Sequence, residues 1–359
     1  MRLKWGLMLV IAASMGALWG IDMFLARTER AEVIGEARQD YEAGLALLEA
    51  GRAADAIDPL RKAHTQDRSN RQYTLRLVAA LVETGKLDEA GRLLTDLLER
   101  NPNDGETSLA EARLLAREGE WENAIAYYHR AIYGSWDSKT ASPQTAARLE
   151  LVDVLVQRGL RKDLLAEVLL LETEVAKDPH LLRRIAQLYL VAGSPGRAET
   201  IYRTLLRDDM DDPGLYSGLG DAELALGNYR VAEAAFQNAI RNGADRSRLE
   251  QRIQLSGSVA GLDPALRRLT SMEKFDRAVR ILQLALDALK QCGRGDGAEQ
   301  IAGAEKLLAV HIRGNPANEL AEERLSTAEQ IWQMRIDACG ASSSVEEAPL
   351  RLVMAKIAQ

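Results

Sequence analysis

The sequence is poor in the residue types from which catalytic and metal centres are built. It has two cysteines and four histidines in 359 residues, and the histidines lie far apart without the spacing of metal ligands. It also contains no serine nucleophile elbow of the hydrolase type. We therefore expect a protein that is not an enzyme and that carries no catalytic residues, metal or other cofactor.

Basic residues are too few and too dispersed for a nucleic-acid-binding protein. Lys and Arg total 46 against 53 Asp and Glu, which gives a formal net charge of -7, and no long basic run occurs. Because clustered Lys and Arg bind phosphate backbones, we expect no nucleic-acid partner. Only 5% of the residues are aromatic, whereas Ala, Leu, Arg and Glu recur throughout. This composition favours an all-α fold.

One long apolar run lies near the N-terminus, at residues 6–26, and only Asp22 interrupts it. Its length is sufficient for a helix to cross a bilayer. We predict a transmembrane signal anchor at 6–26, after a short tail at 1–5 and before a juxtamembrane segment at 27–36. A cleaved signal peptide is the alternative, because small residues at 14–16 have the spacing of a cleavage site.

The charges flanking this run predict its orientation only weakly. Arg2 and Lys4 on one side nearly balance Arg27, Arg30 and Arg38 on the other. The short N-terminal tail favours a cytoplasmic N-terminus and an exported body. We therefore predict a single-pass protein of the inner (plasma) membrane with its main part in the periplasm.

Glycine recurs with a period of 34 residues in two series, Gly51, Gly85, Gly119 and then Gly159, Gly193, Gly227. Five residues after each glycine comes a residue that is Ala in five of the six copies, namely Ala56, Ala90, Ala124, Leu164, Ala198 and Ala232. Four residues further on stands a large apolar side chain in every copy, namely Leu60, Leu94, Tyr128, Val168, Tyr202 and Phe236. The pattern predicts a helix that ends at a left-handed glycine, followed by a second helix packed closely against it.

This pattern resembles the tetratricopeptide repeat (TPR) family, whose unit is a 34-residue helix-turn-helix. The sixth copy carries the resemblance best, with Tyr216, Leu219, Gly220, Gly227, Tyr229, Ala232, Phe236 and Ala239 in register. The resemblance covers 37–244, or six repeats, and is to the bacterial membrane-anchored type. It implies an α-solenoid, a right-handed superhelix of hairpins, with an N-terminal transmembrane helix.

The remaining segments depart from the repeat. Six extra residues between the third and fourth copies fall at 134–143, which we predict to be a loop. We predict a degenerate seventh repeat or cap at 245–292, C-terminal helices at 293–340 with breaks at 293–297 and 314–316, and a tail at 341–359 whose apolar end is able to dock back.

Stacked hairpins form a concave groove lined by the first helix of each pair. By resemblance, the candidate peptide-binding positions are Tyr41, Leu45, Leu75, Arg76, Leu109, Arg113, Arg117, Leu149, Asp153, Arg183, Arg184 and Gln187. Arginine is the notable residue type among them, and it could bind the carboxylates of an acidic segment or a C-terminus. The alternative is that each of these arginines is solvated helix surface.

We predict a membrane-tethered scaffold that binds a protein or peptide in this groove and supports envelope complex assembly, secretion or quality control. A cytoplasm-facing adaptor for a membrane complex is the alternative, and a repeat-guided enzyme is a third reading. Cys292 and Cys339 fit either one disulfide or two buried thiols. The sequence identifies neither the partner nor the oligomeric state.

Overall fold

The computed structural model describes residues 2–137, 143–175, 178–293, 297–312, 314, 316–341 and 344–358. This part of the chain is all-α and contains no β-strand. Its helices are α1 (Arg2–Glu49), α2 (Ala53–Gln66), α3 (Arg71–Glu83), α4 (Leu87–Arg100), α5 (Gly105–Glu118), α6 (Trp121–Tyr133), α7 (Pro143–Arg158), α8 (Arg161–Glu174), α9 (Pro179–Val191), α10 (Pro195–Asp208), α11 (Pro213–Ala225), α12 (Tyr229–Arg241), α13 (Arg246–Leu262), α14 (Ser271–Cys292), α15 (Ala298–Ala309), α16 (Asn318–Cys339) and α17 (Ala348–Ile357).

The helices group into two compact units, Met1–Leu160 and Arg161–Gln359. The first unit contains α1 to α7 and the second contains α8 to α17. The predicted loop at 134–143 falls between α6 and α7, except that Pro143 begins α7; residues 138–142 lie outside the described part. Of the two predicted breaks, 294–296 and 315 also lie outside it.

The first helix continues without a break for 48 residues, from Arg2 through the segments predicted at 6–26 and 27–36 into the first repeat. Residues 27–36 are exposed along their whole length, and burial begins at Ala37, which is inaccessible to solvent. Apart from Trp19 and Met23, the side chains of the predicted anchor at 6–26 lie outside the described residues. Within the described residues, no helix combines the length and apolar character needed to traverse a bilayer.

The six periodic glycines adopt the left-handed conformation that the sequence predicts, with φ between 67° and 83°. At five of them a Cβ would meet no atom within 4 Å, and at Gly227 it would meet only a tyrosine hydroxyl at 3.9 Å. Backbone conformation, and not lack of space, therefore selects glycine here.

Other glycines are required by close helix approach. A Cβ on Gly44 would lie 2.5 Å from Leu60, and a Cβ on Gly220 would lie 2.4 Å from Phe236. Both contacts join the first helix of a hairpin to the second. The periodic small residues and the large apolar residues four positions later are all buried, at no more than 4% exposure. This is the packing face that the repeat pattern predicts.

The end of the second unit departs from the hairpin pattern. The long helices α14 and α16 pack along each other, and a disulfide joins Cys292 to Cys339 at their C-terminal ends, with 6.3 Å between the Cα atoms. The last helix, α17, packs on α13 and α14. One apolar cluster contains Leu282, Trp332 and Met354, so it is shared by α14, α16 and α17.

Candidate functional site

The first helices of successive hairpins lie side by side within each unit. In the first unit α3 contacts α5, and in the second unit α9 contacts α11. These first helices therefore present adjoining faces, which is the arrangement expected for a binding surface.

Acidic and amide N-caps start these first helices at fixed intervals. Asn70 and Asp104 lie 34 residues apart, as do Asp178 and Asp212. The side chain of each accepts a hydrogen bond from a backbone amide in the first helical turn. Such caps satisfy donors that the helix leaves unpaired. The repeated Asx spacing is a signal of these caps that the sequence already contains.

The first unit places the predicted residues of the first two repeats in different environments. Tyr41 is half-buried and packs on the ring of Tyr73, with 4.7 Å between ring centroids. Leu45 is half-buried, one turn beyond Tyr41 on α1. Leu75 is only 6% exposed because it packs in the core shared by α2, α3 and α4, whereas Arg76 beside it is exposed. Leu75 consequently has little surface to offer a ligand.

The third and fourth repeats show the same division. Leu109 on α5 is 7% exposed, and Leu149 on α7 is half-buried. Arg113 and Arg117 are exposed and lie one turn apart on α5, and the exposed Asp153 lies one turn beyond Leu149. The charged residues thus provide the accessible part of this predicted set.

Arg113 is already bound to a carboxylate of the same chain. Its Nε and Nη2 atoms donate to the two carboxylate oxygens of Glu150 on α7, at 2.9 and 2.5 Å. This hydrogen-bonded pair raises the pKa of the Arg113 guanidinium above its usual value. The geometry is the bidentate one that we expected for a ligand carboxylate, but it joins two neighbouring first helices.

The second unit contains an equivalent pair between α9 and α11. Arg183 donates to Asp212, the N-cap of α11. Burial favours a higher pKa for Asp212, but the hydrogen bonds from Arg183 and from the amides of Leu215 and Gly214 outweigh burial and lower it. Arg183 therefore supports the capping residue of the next first helix.

Two further contacts link neighbouring first helices in the same way. Arg71 at the start of α3 lies 2.6 Å from the carboxylate of Asp104, which is only 2% exposed. Arg252 on α13 lies 3.3 Å from Asp221 on α11. We call these four arginine–carboxylate pairs the interhelix clasps; they are Arg71–Asp104, Arg113–Glu150, Arg183–Asp212 and Arg252–Asp221. The clasps position the face of the first helices, and sequence reasoning did not find them.

Exposed polar residues follow the interhelix contacts at a distance of one helical turn. Arg117 follows Arg113 on α5, and Gln187 follows Arg183 on α9. On α3, Arg76 follows Gln72, whose amide donates to Glu106 on α5 at 2.7 Å. Among the described residues, neither Arg76 nor Arg117 forms an ion pair. The remaining predicted residue, Arg184, is half-buried and has an interaction partner.

Comparison with known proteins places these hairpins in a family. Residues 47–114 and, separately, residues 183–247 match the tetratricopeptide repeat family. A curated relative, cellulose synthase operon protein C of Xanthomonas axonopodis pv. citri (strain 306), is 29% identical over 321 residues, which cover 84% of this chain. The chain spans only 19% of the length of that relative.

Solved structures resemble this chain at lower identity. PilW, a type IV pilus biogenesis factor, is 16% identical, with a TM-score of 0.41 over 61% of this chain and 96% of its own. YrrB, a TPR protein with an unusual peptide-binding site, is 13% identical, with a TM-score of 0.42 over 53% of this chain and 95% of its own. Two separate family matches coincide with helical hairpins and their glycine-terminated first helices, and the chain therefore contains tetratricopeptide repeats.

Proposed function

We propose that this protein is an interaction scaffold that binds a protein or peptide on the face of its first helices. The observation that carries the proposal is that exposed polar side chains stand on first helices that ion pairs hold together. In each unit the interhelix clasps hold successive first helices together, and one turn beyond the contacts of α3, α5 and α9 stand the exposed Arg76, Arg117 and Gln187.

A prearranged face favours binding because less side-chain freedom is lost when the partner arrives. The two arginines present donors that suit carboxylates, and Gln187 offers both a donor and an acceptor. We therefore expect a partner segment that carries acidic side chains, or a free C-terminus, against the first unit.

We further propose that the chain acts by binding and not by catalysis. Its buried carboxylates support this reading because they are engaged in structural pairs. Asp104, Glu223 and Asp263 are each at most 2% exposed, and each is paired with a cation of the same chain.

The proposed setting is the bacterial envelope, where residues 6–26 would anchor the chain in the inner membrane and the repeats would lie in the periplasm. The apolar composition of 6–26 supports the anchor. The disulfide between Cys292 and Cys339 is of the kind that persists in oxidising compartments. Similarity to a cellulose synthase operon protein supports a role in assembling or assisting an envelope complex.

Crosslinking in cells followed by mass spectrometry tests the binding proposal. The wild type is compared with Arg76→Glu and Arg117→Glu, which reverse charges on the proposed face, and with Arg92→Glu on the second helix α4 as a matched surface control. We expect both face variants to lose crosslinked partners that the wild type and the control retain. An identical partner set in all four proteins would rule out this face.

A C-terminal fusion tests the location separately. A reporter enzyme that is active only outside the cytoplasm should be active when fused after residue 359. Activity of a cytoplasm-only reporter at the same position would instead favour an adaptor facing the cytoplasm.

A further inference from the structure

The last helix lies along α13, the first helix of the degenerate seventh hairpin. Leu350, Val353 and Met354 have the i, i+3, i+4 spacing of one helix face, and each is at most 3% exposed. They belong to the apolar cluster that includes Val259 and Leu262 of α13. The helix α17 thus covers an apolar face that belongs to a first helix of the array.

The two helices run in the same direction. Near its beginning, α17 places Pro349 beside Leu255 of α13, where both border one cavity. Near its end, Lys356 reaches Asp263, the residue that terminates α13. Neighbouring first helices in a stack of hairpins are also parallel. A helix of another protein that extended this face would therefore lie where α17 lies.

A buried carboxylate marks the far end of the covered face. Asp263 is 1% exposed, and its Oδ2 accepts a hydrogen bond from the ammonium of Lys356 at 2.6 Å. Its Oδ1 accepts from the backbone amide of Ala265 at 2.9 Å. A helix that replaced α17 and buried this carboxylate again without a cation would leave the charge unpaired, so any replacement helix has to supply a cation at the same place.

Open clefts border α17 on this face. Clefts of about 620 and 460 Å³ adjoin the segment at 344–350. A third cleft, of about 550 Å³, lies between α16 and α17 and is lined by Trp332 and Met354. A longer or bulkier helix in this place would therefore have room to contact the walls of these clefts.

The connection to α17 is exposed ahead of Glu347, which pairs with Arg335 of α16 at 3.1 Å. Ser344, Val345 and Glu346 are exposed, and the side chain of Val345 is 80% exposed. A helix of ten residues is marginal in water by itself, so α17 owes its structure to docking.

We propose that the face of α13 covered by α17 is a docking surface for an amphipathic helix of another protein, and that α17 occupies it until that partner displaces it. The partner helix carries apolar residues at i, i+3 and i+4 and a Lys or Arg at i+6, which repeats the relation of Lys356 to Leu350. This inference rests on the proposed function, because it names the partner class for one part of the scaffold.

A labelled peptide with the sequence of residues 344–358 is the probe for the face. In the wild type the tethered α17 competes at high effective concentration, so the peptide should bind weakly. In the full-length chain with Val353→Asp and Met354→Asp, α17 is released, and we expect binding to be at least about tenfold tighter by fluorescence anisotropy. Equal binding to the wild type and to a released variant with native circular dichroism would overturn the proposal.

Changes in the peptide test the charge requirement without risk to the fold. Lys356→Ala in the peptide should weaken binding to the released variant about tenfold or more, whereas Lys356→Arg should preserve it. Loss of binding with both changes would contradict a simple need for a cation opposite Asp263.

Hydrogen exchange of the wild type covers the case in which the released variant does not fold. Excess unlabelled peptide should accelerate exchange of the amides at 350–357, and unchanged protection would overturn the proposal. Exchange of α17 between two copies of the chain, seen as a dimer by light scattering, would overturn the assignment to a foreign partner. The peptide assay needs no cellular partner, so an unchanged set of crosslinked partners in the Arg76 and Arg117 variants with intact peptide binding would overturn the proposed function alone.

Discussion

Arg113 on α5 holds both carboxylate oxygens of Glu150 on α7, and this contact changes the meaning of an arginine that the sequence offers as a ligand-binding residue. The guanidinium has the bidentate partner that its chemistry favours, but the partner is part of the protein. An incoming carboxylate would have to compete with it. Arg117, one turn away, is accessible and forms no ion pair with a carboxylate among the described residues.

A double-mutant cycle measures this clasp. Because the Arg113 and Glu150 side chains are 53% and 35% exposed, we expect a coupling free energy of about 0.5–1 kcal/mol, smaller than for a buried pair. Urea unfolding of the wild type, Arg113→Ala, Glu150→Ala and the double variant gives the value. Strictly additive effects of the two single changes would show that the contact adds nothing to stability.

Two glycine substitutions should have opposite effects on stability. Gly220→Ala places a Cβ 2.4 Å from Phe236, and we expect a loss of about 1–3 kcal/mol from overpacking. Gly196→Ala in α10 meets no atom within 4 Å and should stabilise by up to about 1 kcal/mol, because alanine is the better helix former. Thermal unfolding of both variants tests the prediction, and a similar loss in both would contradict it.

Reduction of the disulfide should weaken the C-terminal part of the second unit. The bond links residues 47 positions apart, and bonds that close such loops contribute about 2–4 kcal/mol. We expect dithiothreitol to lower the unfolding free energy of this part by that amount, and so to lower the urea midpoint of the wild type. A Cys292→Ser, Cys339→Ser variant serves as the control, since its midpoint should not respond to reductant.

Asp212 and Asp221 should respond to acid in opposite ways. The hydrogen bonds of Asp212 lower its pKa in the folded state, so its stabilising contribution is complete at neutral pH and disappears as the pH falls through the lowered pKa. Burial raises the pKa of Asp221 and is only partly offset by Arg252, so protonation of Asp221 favours the folded state.

Unfolding free energies between pH 7 and pH 3 test this pair. The difference between the wild type and Asp212→Asn should shrink on acidification, whereas the wild type should gain stability relative to Asp221→Asn. Parallel pH profiles for the two variants would contradict the assignment.

The sequence predicts the hairpins well because each rests on local signals with a fixed period. A glycine that ends a helix and a small residue five positions later act within one hairpin, and Gly51 and Ala56 show both effects. The interhelix clasps cannot be predicted from such local signals. Arg113 and Glu150, for example, are 37 positions apart and meet only when two first helices pack side by side. The burial of Leu75 likewise depends on neighbouring helices and not on its own helix alone.

The continuous first helix was missed for a different reason. Segments that differ in composition, such as 6–26 and 27–36, suggest separate parts, but no proline or glycine-rich break stands between them and Ala37. The backbone therefore stays helical across both boundaries.

Because α1 is unbroken, its length fixes the orientation of the first hairpin about the helix axis. Removal of one residue from 27–36 would turn the first hairpin by about 100° about the helix axis and shift it by about 1.5 Å relative to the preceding residues. Removal of seven residues, close to two full turns, would nearly restore the original facing while bringing the hairpin about 10 Å nearer. The length of the exposed stretch thus sets how the first hairpin is oriented relative to the residues that precede it.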